Sequence, residues 1–219
     1  MLFGTDGIRG EITDSPISDE DSINQVINDR SISPKFMRLV GEALSRMCIV
    51  GEEVIIGWDD RLGNHALVKG LTIGLHLGEV RVNHAGVCTT PALHNALLEK
   101  KCKFGCMITA SHNPVTDSGI KIFDSNGIKS NLVLENQLSE LIFQLASEER
   151  EIDDIDELEL CIPDATFDAD KAHQELIVVR YAEFTALFSS PVIEKIYVDS
   201  SKGSPVKWLA NFLKIQGMD

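Results

Sequence analysis

The chain has 219 residues, 43 % of them apolar, with 20 Lys and Arg against 34 Asp and Glu and a formal charge of −14. That balance argues against non-specific binding to nucleic acid or to an anionic membrane, so no nucleic acid or membrane partner is expected. The apolar share suffices for a packed core, and the length allows one large domain or two modest ones. Any anion site must be locally positive against this acidic background.

Cys48, Cys88, Cys102, Cys106 and Cys161 form no CxxC pair, which predicts reduced and mostly buried thiols. The opening residues lack the charged and apolar regions of a signal peptide, and no apolar run approaches membrane-spanning length. The expectation is a cytoplasmic protein.

Residues 11 to 33 are polar and acidic and read as a loop or insertion, with one short helical turn near Ile23 to Ile27. Ser33-Pro34 reads as N-cap and first helical position. Phe36, Val40, Ala43, Leu44 and Met47 then follow at helical spacing and predict a helix over 34–48. Val54-Ile55-Ile56 is a short buried strand, and Trp58-Asp59-Asp60-Arg61 a loop at its end. Leu67, Leu71 and Leu75 mark a helix closed by Gly78. Val80 and Val82 mark a strand, and Thr90-Pro91 opens a helix carrying Leu93, Ala96 and Leu97. Phe104 to Ile108 is a strand. Ile120 to Phe123 follows too closely for a helical crossover and is expected to run antiparallel. After an Asn126-Gly127 turn, Leu134, Leu138, Leu141 and Leu145 mark a helix ending near 148.

This alternation predicts an α/β fold with a mixed, largely parallel sheet flanked by helices. Glu148 to Glu159 is dense in carboxylates and reads as a solvated linker. A helix over 168–188, a strand over 196–199, a loop over 200–203 and a helix over 206–213 read as the start of a further α/β unit. The expected organisation is a first domain over 1–148, an acidic linker over 149–164, and an incomplete second α/β domain over 165–219.

The most informative stretch is Thr109-Ala110-Ser111-His112-Asn113-Pro114. A serine set where a buried strand ends, with a histidine beside it and a proline stopping the chain, is a serine presented to a ligand. Such a hydroxyl can carry a phosphoryl group if it is activated. A phosphoserine brings roughly −1.5 to −2 charges and needs cations around it. Arg9, in the glycine-flanked loop Gly7-Ile8-Arg9-Gly10, is one candidate; the alternative is a pair with a carboxylate such as Asp6. Lys121 falls opposite Ile120 and Ile122 by strand alternation, so it is either a site residue or an outward-facing lysine. His112 either orients a phosphate or serves as a structural donor. Arg61 either supports the site or holds its loop by pairing with Asp59 or Asp60. Thr89-Thr90-Pro91 reads as a helix cap. There is no Gly-x-Ser-x-Gly elbow, so a serine hydrolase is disfavoured.

Thr109 to Pro114, the opening Phe3-Gly4-Thr5-Asp6-Gly7-Ile8-Arg9-Gly10 and the segment Asp117-Ser118-Gly119-Ile120-Lys121 resemble the α-D-phosphohexomutases, with the phosphoglucosamine mutase branch nearest. The resemblance implies that Ser111 carries a phosphoryl group moved between O6 and O1 of a hexosamine or hexose phosphate, through a bisphosphorylated sugar. It implies catalytic roles for Ser111, Lys121, His112 and Arg9, with Lys121 as general acid or base. Arg9, His112, Lys121 and Arg61 would bind the phosphate or the sugar. Leu62 replaces a residue that is commonly serine in the family. The family's Mg²⁺ is held by a phosphoserine oxygen, here on Ser111, and by three aspartates of an Asp-Gly-Asp-Gly-Asp-Arg loop. No such string occurs in this sequence. The expectation is therefore the N-terminal segment of a phosphosugar mutase, inactive as this chain alone. Phosphomannomutase or phosphoglucomutase specificity, or a non-catalytic truncated paralogue acting as a binding module, are the alternatives.

Overall fold

A computed structural model describes residues 2–16, 18–148, 157–187, 197–199, 203 and 208–218. The strands are β1 (Ile8–Ile12), β2 (Ser31–Ile32), β3 (Glu53–Trp58), β4 (Arg81–Val87), β5 (Phe104–Ile108), β6 (Asp117–Asp124) and β7 (Ala165–Thr166). The helices are α1 (Asp19–Asn24), α2 (Pro34–Ser45), α3 (Asn64–Leu77), α4 (Thr90–Lys100), α5 (Leu132–Ser147), α6 (Glu157–Leu160), α7 (Ala169–Leu187) and α8 (Leu209–Ile215). Among the described residues the strands form one sheet in the order β2-β1-β6-β5-β3-β4-β7. It is mixed and mostly parallel: only β6 runs antiparallel, to both β1 and β5.

Strand alternation sorts side chains onto two faces. Val54, Ile56, Cys106, Ile108, Ile120 and Ile122 face the larger core under α2, α3 and α5. Ile55, Met107 and Phe123 face the other way, against Ala92, Leu93, Ala96 and Leu97 of α4 and Ala169 of α7. Ser33 caps α2, its hydroxyl accepting from the Phe36 amide at 3.3 Å, with Pro34 in the first turn. The α2 and α3 backbones touch: a Cβ on Gly41 or Gly74 would collide with a main-chain oxygen of the facing helix.

The segment 11–33 corrects the sequence reading. It is not a loop with one turn. Its first residues complete β1, α1 then runs into a π-helical turn over Gln25–Asp29, and β2 joins the sheet edge parallel to β1. Ile23, Val26 and Ile32 are buried. Of the acidic residues that suggested solvation, Asp19 has a partner, Arg38 of α2, which also holds Glu42 at 2.6 Å, whereas Glu20, Asp21 and Asp29 are exposed. Arg9, placed by sequence in a loop, lies on β1 opposite Gly119 of β6.

Beyond α5, residues 149–156 of the expected linker lie outside the described residues. β7 adds parallel to the free edge of β4, and the Val82 amide donates to the Asp164 carboxylate at 2.7 Å. Phe167 and Ala169 then bring α7 onto α4. Of the expected strand 196–199, residues 197–199 carry no regular structure and Ile196 lies outside the described residues. Of the expected loop 200–203, only Gly203 is described, and of the helix 206–213, the described part is α8. No described helix is long and apolar enough to cross a membrane.

Candidate active site

Parallel α/β sheets open at the carboxyl ends of their strands, where successive crossovers pass to opposite faces. Here α3 follows β3 on one face, and α4 returns the chain to β5 on the other. Asp59 lies at the carboxyl end of β3, and Thr109 to Pro114 at that of β5. The Asp59 amide joins the two ends through the Ile108 carbonyl at 3.1 Å.

Ser111 is exposed at the turn with φ +59°, a left-handed conformation that costs an L-residue about 1–2 kcal/mol. Side-chain hydrogen bonds hold it there. The Ser111 amide donates to Thr109 Oγ1 at 2.9 Å, and Thr109 Oγ1 donates to Asp59 Oδ2 at 2.5 Å. Arg61 closes the turn from outside. Its Nε donates to Asp59 Oδ2 at 3.1 Å, its Nη1 to the carbonyls of Pro114 and Asp117, and its Nη2 to those of Ser111 at 2.7 Å and Asn113 at 3.2 Å. A guanidinium has five N–H donors, and all five are spent on this collar. Arg61, expected to bind phosphate or support the site, is occupied as a support and has no donor left for a phosphate. Beneath it, buried Asn64 donates to Asp59 Oδ1 at 2.6 Å and accepts from buried Ser118 at 2.5 Å, tying α3 and β6 to the same carboxylate.

A second cluster lies beside the turn. Arg9 Nη1 reaches the Ala110 carbonyl at 3.3 Å and Asn113 Oδ1 at 3.4 Å, while Nη2 pairs with Asp6. Lys121 Nζ meets the same Asp6 carboxylate at 2.9 Å, and Lys129 Nζ meets it at 3.0 Å. Burial pushes the Asp6 carboxyl up, but the Lys121 and Lys129 ammonium groups outweigh it and hold the pKa at about 2. Gly7 makes the approach possible: its φ is +85°, and a Cβ there would strike the Ile120 carbonyl of β6. His112 is exposed on the serine turn.

The structure thus brings Ser111, Arg9, Lys121 and Arg61 to one corner, with His112 on the same turn. Sequence reasoning named Asp59 as a partner of Arg61 and placed Thr109 in the turn, but missed the Thr109 hydroxyl as the link between them, Asn64 and Ser118 as supports, and Lys129 as a cation of the cluster. Lys129 had a signal: the Asn126-Gly127 turn folds the chain back so that residue 129 bridges to Phe123. Cys48, Cys88, Cys102 and Cys106 are not rival nucleophiles: burial pushes Cys48 up to about 11 and Cys88 up to about 12, and pushes the Cys102 and Cys106 thiols up as well.

Magnesium needs several oxygen ligands. Among the described residues no group of three or more His, Cys, Asp or Glu side chains is placed to hold a metal ion. Asp59 is committed to Arg61, Thr109 and Asn64, and Asp6 to three cations. These residues do not by themselves form a magnesium site.

The family described as phosphoglucomutase/phosphomannomutase, alpha/beta/alpha domain I, matches residues 1–149. A phosphoglucosamine mutase of Prochlorococcus marinus subsp. pastoris is 35 % identical over 146 residues, 67 % of this chain and 28 % of the relative. Another, from Francisella tularensis subsp. novicida, is 35 % identical over 146 residues, 64 % of this chain and 29 % of the relative. A crystal structure from Thermus thermophilus superimposes with a TM-score of 0.67 at 25 % identity, covering 99 % of this chain and 44 % of that one. The chain spans less than a third of the length of the curated relatives it matches.

Proposed function

Since the chain belongs to the phosphoglucomutase/phosphomannomutase family, we propose that it supplies the phosphoryl-carrying serine of a phosphosugar mutase acting on glucosamine 6-phosphate and glucosamine 1-phosphate. Ser111 is the carrier. In the first half of the reaction its Oγ–P bond breaks as a bond from the sugar hydroxyl oxygen to phosphorus forms, giving a bisphosphorylated sugar. In the second half the other phosphoryl group returns to Ser111 Oγ, and the isomeric monophosphate leaves.

One observation carries this reading: Arg9 of β1 and Lys121 of β6 are drawn together on one carboxylate, beside a serine locked into an outward-facing turn. Arg9 lies against the Ala110 carbonyl, one residue from the nucleophile, and supplies positive charge to the phosphate. Lys121, paired with Asp6 at 2.9 Å, supplies charge beside the turn and is the proposed general acid or base toward the sugar hydroxyl. The Asp59–Arg61–Thr109 collar holds the hydroxyl in place, which lowers the orientational cost of transfer. His112 sits on the turn where it can meet the phosphate or the sugar.

Two measurements test this. Intact-mass analysis after incubation with glucosamine 1,6-bisphosphate is expected to show one phosphoryl group on Ser111 and none in Ser111→Ala. Ser111→Ala is expected to lower mutase turnover by on the order of 10³-fold or more. Near-normal turnover in that variant would refute the carrier assignment. Faster turnover of glucose or mannose phosphates than of glucosamine phosphates would reassign the substrate.

A further inference from the structure

Most ion pairs in this chain balance one charge with another. The cluster at Asp6 does not. Three full cations, Arg9, Lys121 and Lys129, share one carboxylate, and Lys129 also donates to the Thr5 carbonyl at 2.9 Å. The local sum is +3 − 1 = +2, in a chain whose formal charge is −14. Like charges held this close repel one another, and a fold has no structural need for the surplus. Donors also remain to be filled. Among the described residues Lys121 pairs with Asp6 alone, and Arg9 Nε is buried with no hydrogen-bond partner.

We propose that Asp6 is a resident counter-ion for an anion site, and that Lys129 is a third phosphate-binding cation alongside Arg9 and Lys121. The inference rests on the reading that a phosphate occupies the Ser111 corner. A phosphate dianion, at roughly −2, matches the surplus of the cluster. When it is absent, Asp6 gathers the three side chains and keeps them from scattering or from pairing elsewhere on an acidic surface. When it arrives, it competes with Asp6 for Lys121 and Lys129. Asp6 is thus a positioning residue acting through its cations, and it weakens phosphate binding while keeping the binding groups assembled. That trade suits a site through which phosphate must pass rather than stay.

The test is a titration of the 219-residue chain with inorganic phosphate at mildly alkaline pH and fixed ionic strength. It is followed by the amide signals of residues 109–114 and the side-chain Nζ signals of Lys121 and Lys129. Asp6→Asn is expected to bind phosphate about tenfold more tightly, because the competing carboxylate is gone. Lys129→Gln is expected to bind it about threefold to tenfold more weakly, because a cation is gone. Folded Asp6→Asn that binds no more tightly than the parent overturns the proposal, as does Lys129→Gln with unchanged affinity. If Asp6→Asn fails to fold, the Lys129→Gln titration decides alone. Inorganic phosphate binds here without transfer, so failure of the serine-carrier reading shows in turnover of Ser111→Ala and leaves this titration unaffected.

Discussion

Asp59 and Asp6 flank the same serine turn and do opposite work. Asp59, 17 % exposed, pairs with one cation, Arg61, and takes its remaining bonds from the neutral donors Thr109 and Asn64. Every donor of that arginine is used. Asp6, 38 % exposed, meets three cations whose donors are not all used. A closed polar network fixes geometry, because any departure leaves a buried group unpaired. An open cluster with surplus charge is cheap to rearrange and lies ready for an anion. The corner therefore separates two tasks that one residue could not perform together: Asp59 and Arg61 hold the Ser111 turn still, while Asp6 holds three cations in an arrangement that can change.

The largest expected effect falls on the closed side. Arg61→Ala removes five donors and leaves four carbonyls of the turn without them. It is expected to cost about 2–4 kcal/mol in urea denaturation and to speed amide exchange through residues 110–117. Arg61→Lys is expected to recover less than half of that, since an ammonium has three donors and no planar fork. A cost under about 0.5 kcal/mol for Arg61→Ala would mean that the collar does not hold the turn, and Asp59 would lose its distinct role.

The same contrast explains what was legible in the sequence. Residue types with local signatures were read correctly: the Ser33-Pro34 start of α2, the leucine spacing of α3, and the short antiparallel return from β5 to β6. Ser111, Arg9, Lys121 and Arg61 were singled out because they sit in recognisable strings, and Asp6 and Asp59 were legible as near neighbours of Arg9 and Arg61. Asn64 and Ser118 were not, because they meet Asp59 only after α3 and β6 have packed, and nothing local links them. The strands β1 and β2 were missed for a related reason. Five and two residues long, with polar positions among the apolar ones, they carry too little pattern, and β2 exists only through its pairing with β1. Asp19 read as one more solvated carboxylate among the acidic residues of 11–33 because its cation, Arg38, lies on another helix.

A smaller effect is expected at Thr109. Its hydroxyl is the one link that passes the position of Asp59 to the Ser111 amide. Thr109→Val keeps the shape of the side chain and deletes both hydrogen bonds. The expected loss is about 1–2 kcal/mol in stability, with the change in amide chemical shift concentrated at Ser111 and His112. Changes spread evenly over β5 and β6 would point to a general packing defect and against a dedicated link.

The smallest effect belongs to the open side, and its sign is fixed. Asp6 has a folded pKa of about 2 against an ordinary 3.8, so the folded state holds its carboxylate charged more readily than the unfolded chain does. The stabilisation is complete above the unfolded value and is lost as pH falls through the folded one, from about 4 to about 2. With 38 % of the side chain exposed, solvent screening keeps the contribution below about 1 kcal/mol. Urea midpoints of the parent and of Asp6→Asn should therefore converge as the medium is acidified through that window, and added salt should shrink the gap above it. Parallel curves for the two proteins would mean that the three cations do not hold the charge of Asp6, and the opposition between its open cluster and the closed one around Asp59 would fall.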